Sequence, residues 1–153
     1  MTPTKFSRPM VSVGTRDPFD CDEHAAMALV TAAAFVALAD GRVDPSERDE
    51  AVDYIDRRRL VPTVPRRRLG DMFDERVRRL EDADFVDVVI DSLRPVPSLS
   101  LTFDVIRIAE EVAAADGEVH SSELQTVTLI RLVTIRLPEP TPVGPPRRSR
   151  RSQ

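Results

Sequence analysis

Tryptophan is absent from the 153 residues, tyrosine occurs once, and aromatics amount to 5%. Stacking platforms for single-stranded nucleic acid and antibody-like binding surfaces need more aromatic area than that. A single cysteine, Cys21, excludes an intrachain disulfide framework and a cysteine-based zinc site. The longest nearly apolar run, Ala25 to Ala39, is shorter than the ~20 residues of a membrane-spanning helix and has acids at both ends. No charged, apolar and small-residue leader pattern opens the sequence, so a cytoplasmic location is expected. Apolar residues make up 41% and charged residues 31%, the mix of one soluble globular domain.

Charge is unevenly spread. The net −4 is the sum of +4 on Arg147, Arg148, Arg150 and Arg151 and −8 on residues 1–146. Residues 138–153 hold five of the thirteen prolines and read as a disordered Pro/Arg-rich tail. Four charges support only weak, salt-sensitive attachment to an anion, so no specific nucleic-acid binding is expected. Residues 1–19 read as an extended N-terminal segment, in which Phe6, Met10 and Val11 are candidates for packing on the body.

Residues 20–137 read as helical throughout. Asp20-Cys21-Asp22-Glu23 has the spacing of a capping box, and an Ala-rich helix follows to about Asp40, with Gly41 as its left-handed stop. Asp44-Pro45-Ser46-Glu47 restarts a helix with N-cap Asp, Pro at N1 and Glu at N3. That helix is expected to reach about Arg59, and further helices about 65–81, 84–94, 99–116 and 121–137. In the last one, Leu124, Val127, Leu129, Ile130, Leu132, Val133, Ile135 and Leu137 do not form one narrow stripe. Such a helix belongs at the centre or in an interface; central burial is the expectation, a weak homodimer the alternative to a monomer. No segment has strand alternation, so the fold class is all-α, a bundle of about six or seven helices.

An internal repeat carries the informative motif. Residues 39–47 read ADGRVDPSE and residues 115–123 read ADGEVHSSE. The register continues upstream, where Val30, Ala33, Val36 and Ala37 correspond to Ile106, Ala109, Val112 and Ala113. This implies two helix-turn-helix units of one design, related by a pseudo-two-fold that brings both Asp-Gly turns to one end.

D-G-x-V-x-x-x-E matches the back half of an EF-hand loop. The front half places Val36 or Val112 at the first ligand position, and an apolar side chain cannot ligate calcium, so an EF-hand is excluded. Capping explains most of the motif: Gly ends one helix, Val43 or Val119 plugs the core, and Glu caps the next helix. Asp40 and Asp116 are explained less well, because a carboxylate in a last helical turn costs roughly 0.3–1 kcal/mol against the helix dipole. Either the Asp reaches across to the amides opening the next helix, or the acids form a site.

The paired ADGxVxxxE turns, each between two helices of an all-α chain, resemble the tellurite-resistance TerB-like family over about residues 22–137. The resemblance implies a compact bundle of about seven helices, no enzymatic activity, an acidic or metal-binding surface at these turns, and a link to stress or metal-oxyanion resistance. Matched by position, the site residues are Asp40, Glu47, Asp116 and Glu123. His120 stands where the first copy has Asp44, which sets the two halves apart.

Oxygen ligands alone favour Ca²⁺, Mg²⁺ or Mn²⁺, and tellurite itself would be repelled by such a cluster. The expectation is a non-enzymatic, cation-binding or acidic interaction module; the alternative is a helical adaptor for a protein partner, with no metal. His24 reads as a surface residue and Cys21 as an inert thiol. Arg57-Arg58-Arg59 and Arg66-Arg67-Arg68 read as a solvated face or a docking patch.

Overall fold

The computed structural model describes residues 18–82, 85–93, 98–115, 117 and 119–135. These contain six helices and no strand: α1 (Pro18–Ala37), α2 (Pro45–Arg57), α3 (Arg66–Glu81), α4 (Phe85–Leu93), α5 (Leu99–Ala113) and α6 (Ser121–Thr134). The all-α class is as expected. Of the extended segment expected over residues 1–19, residues 1–17 lie outside the described residues, as does the Pro/Arg tail, while Pro18 and Phe19 open α1.

α1 is the centre of the bundle and touches all five other helices, α5 and α3 most extensively. From Ala26 to Ala37 only Met27 and Phe35 are even partly exposed. Seven of its twenty residues are alanine, and small side chains let neighbours approach from every side. The larger core volume comes from Leu29, Ile55, Leu69, Met72, Phe73, Leu93, Ile108 and Ile130. Each such side chain contributes about 1.5–3 kcal/mol by leaving water.

α1 begins at Pro18, three residues before the Cys21 start that the capping box implies. Asp20 lies inside the helix, so it is not the N-cap. The acids of the first turns are tied to other elements: Asp22 Oδ2 accepts from Thr63 N–H at 3.0 Å and Thr63 Oγ1 at 2.8 Å, and Glu23 pairs with Arg68. Several helices end sooner than expected, α1 at Ala37, α2 at Arg57 and α5 at Ala113, each followed by turns outside the regular helix, whereas α3 ends at Glu81 as expected.

α6 corrects the expectation of central burial. Glu123, Thr126, Val127, Ile130 and Thr134 form its one buried face. On the opposite face Leu124, Leu129, Leu132 and Ile135 are 51–71% exposed.

Four of the six arginines in the two runs have a carboxylate or ring partner. Arg57 pairs with Glu50, Arg66 with Asp53 and Asp56, and Arg68 with Glu23. The Arg58 guanidinium lies over the Tyr54 ring, 5.2 Å from its centroid. Arg48 makes a two-pronged pair with Asp74, at 2.6 and 2.8 Å, joining α2 to α3. Gly70 makes room for it, since a Cβ there would meet Arg48 Nη2 at 2.8 Å.

Candidate functional site: two acidic turns and an apolar face

The first turn is built by local hydrogen bonds. Beyond α1 the chain tightens through Ala39 N–H to Val36 O at 2.9 Å and Gly41 N–H to Leu38 O at 2.9 Å. Gly41 has φ +89°, which glycine adopts without the Cβ penalty. Asp40 accepts from Arg42 N–H at 3.0 Å. It therefore caps its own turn and does not reach the amides of α2, and its last-turn position is compensated locally.

Asp44 is the N-cap of α2. Its Oδ1 accepts from Ser46 N–H at 2.8 Å and Ser46 Oγ at 2.6 Å, and these bonds hold its carboxyl below the usual range. Glu47 Oε2 closes the box by accepting from Asp44 N–H at 2.7 Å.

The second turn repeats the backbone pattern. Ala115 N–H bonds to Val112 O at 3.0 Å and Gly117 N–H to Ala114 O at 3.1 Å, with Gly117 at φ +84°. Glu123 Oε2 accepts from His120 N–H at 2.7 Å. The plug expected from the two valines is met in part: Val43 packs half-buried against the core, whereas Val119 is 50% exposed.

Glu47 and Glu123 are 6% and 3% exposed, the only acids among the described residues that are buried. Glu47 is pushed up to about 6, first by burial and then by the charges of Glu123, Asp40 and Asp44. Three of the four expected site residues thus share one end of the bundle, with Asp40 exposed at its rim. Asp116, the fourth, lies outside the described residues.

The three described acids do not make a ligand set by themselves. Among the described residues no three His, Cys, Asp or Glu side chains are grouped to hold a metal ion. One oxygen each of Asp40, Glu47 and Glu123 is already committed to a backbone amide.

The outer face of α6 bears apolar residues that were expected at the centre, with an interface as the alternative. Ser121, Leu124, Gln125, Thr128, Leu129 and Leu132 line it, and its one charge, Arg131, is paired with Glu110 of α5. The available signal was a second apolar stripe diametrically opposed to the 123, 126, 127, 130, 134 stripe. Leu129 also forms the edge of a groove of about 420 Å³ with Phe35, Leu38, Ala39, Leu80 and Thr126.

A six-helix bundle with two capped acidic turns and an apolar outer face defines a class of small all-α modules. A family model described as tellurite resistance protein TerB matches residues 25–135. The chain belongs to the TerB family. No curated protein and no solved structure gives a match.

Proposed function

We propose that this TerB-family chain is a non-enzymatic interaction module that docks a protein partner through the outer face of α6, in a stress or tellurite-resistance setting. The observation that carries this is the exposure of Leu124, Leu129, Leu132 and Ile135 at 51–71% in a chain with 31% charged residues. A helix face of that length without an unpaired charge is the surface of an interface.

A second reading rests on Glu47, whose ionisation is opposed by three neighbouring acids. A divalent cation (Ca²⁺, Mg²⁺ or Mn²⁺) bound by Asp40, Glu47, Asp116 and Glu123 would relieve that repulsion. In that case titration calorimetry gives ion-dependent heat that Glu47→Gln removes, and a chelator lowers the melting temperature.

One experiment separates the two. Bacteria whose tellurite tolerance depends on this chain are complemented with Leu132→Arg or with the pair Asp40→Asn and Asp116→Asn. Loss of protection with Leu132→Arg alone supports the docking face. Loss with the Asn pair alone supports the cation reading and sinks the first.

A further inference from the structure

The docking face continues into a groove whose chemistry narrows the partner. The last turn of α1 supplies Phe35 and the turn after it Leu38, the end of α3 supplies Leu80, and α6 supplies Thr126 and Leu129. Leu129 is shared with a second hollow on α6, lined by Leu124, Gln125 and Thr128. The two hollows therefore form one apolar track crossing α6.

The rim of the track is acidic. Glu81 lines the groove, Asp82 follows it, and Asp40 sits between the lining residues Ala39 and Gly41; all three are exposed. None of the three has a side-chain cation partner among the described residues. Arginines at the end of α3 are engaged elsewhere: Arg79 pairs with Glu75, and Arg78 Nε bonds to Asp74 O.

Charge decides among occupants. A second copy would bring like-charged rims together, on bodies that each carry −8 over residues 1–146. An anionic membrane surface would meet the same repulsion. A phosphorylated segment needs an arginine cluster, and the rim holds acids. A strand has no sheet edge to extend among the described residues. An apolar track with an acidic rim fits an amphipathic helix whose apolar face is flanked by Lys or Arg.

We propose that the groove between α1, α3 and α6 binds a basic amphipathic helix of a partner protein, with Leu129 as the central apolar contact and Glu81 and Asp82 as the charge-selecting rim. This rests on the docking-face reading above and names the partner class for it.

The test uses the full chain and a fluorescein-labelled 18-residue Leu/Lys amphipathic peptide, with a Leu/Glu peptide of the same pattern as comparison. Anisotropy is expected to show saturable binding of the Leu/Lys peptide alone. Leu129→Gln is expected to weaken it at least tenfold, at an unchanged melting temperature because Leu129 is half exposed. The double variant Glu81→Lys, Asp82→Lys and 0.5 M salt are each expected to weaken it comparably.

Equal binding of the Leu/Glu peptide, or parental binding by Leu129→Gln, overturns the proposal. So does a dimer in sedimentation equilibrium that Leu129→Gln dissociates, or binding to phosphatidylglycerol vesicles that this variant abolishes. Failure of the peptide assay with continued loss of protection by Leu132→Arg removes the partner class and leaves the docking face standing. Parental protection by Leu132→Arg removes the docking face itself.

Discussion

Glu47 and Glu123, 76 residues apart, do the same work in different helices: each folds back from the third helical position onto its N-cap amide at 2.7 Å. They also interact through charge, so that Glu123 is one of the groups raising Glu47. Two unconnected caps thereby become one electrostatic unit at an end of the bundle.

This unit predicts a pH dependence. Glu47 is held at about 6 against an ordinary 4.5, so the folded chain binds a proton that the unfolded chain has already lost between these values. Its contribution to stability is present below about pH 4.5 and is lost as pH rises through 6. The full loss is about 2 kcal/mol at neutral pH. Glu47→Gln keeps an oxygen for the Asp44 amide and is expected to gain about 1–2 kcal/mol at pH 7 and almost nothing at pH 4.5. Urea denaturation at both pH values checks the difference.

Asp44 is a cap in the structural sense, with bonds to both the amide and the hydroxyl of Ser46. Asp44→Ala is expected to lower stability by about 1 kcal/mol. Because Glu47 bonds the backbone of residue 44, that arm survives the substitution. A loss above about 3 kcal/mol by denaturation would mean that Asp44 does more than cap.

Arg59 occupies the left-handed region at φ +50°, the one described non-glycine residue to do so. That conformation costs a residue with a Cβ about 1–2 kcal/mol, while glycine adds unfolded-chain entropy of about 0.5–1 kcal/mol. Arg59→Gly is therefore expected to be stabilising by about 0.5–1 kcal/mol. An unchanged or lower denaturation midpoint would contradict the strain.

Thr31 is fully buried in α1 and its Oγ1 has no hydrogen-bond partner. Valine has nearly the same shape without the hydroxyl to desolvate. Thr31→Val is expected to raise stability by about 1 kcal/mol, read as a higher melting temperature; destabilisation would show that the hydroxyl is satisfied in solution.

Much of the fold was legible because helix caps and stops depend on neighbours three or four positions away. Asp44, Pro45 and Glu47 announced α2, and Gly41 and Gly117 announced the left-handed turns that the structure contains. The TerB resemblance rested on the same short-range pattern, and the family match over residues 25–135 agrees with it. Asp40 shows the limit: its motif position was clear, but only the coordinates show its carboxylate turned to Arg42 N–H.

The sequence by itself determined the helices, the capping roles of Asp44, Glu47 and Glu123, the two glycine turns and the family, since all of these are set by residues close along the chain. Only the tertiary structure decided which helix is central. Apolar residues all round a helix were read as burial of α6, yet the alanines of α1 let five neighbours approach and took that place. The Leu side chains left on the outside of α6, the groove at Leu129 and the charge coupling of Glu47 to Glu123 follow from that packing, which no local spacing encodes.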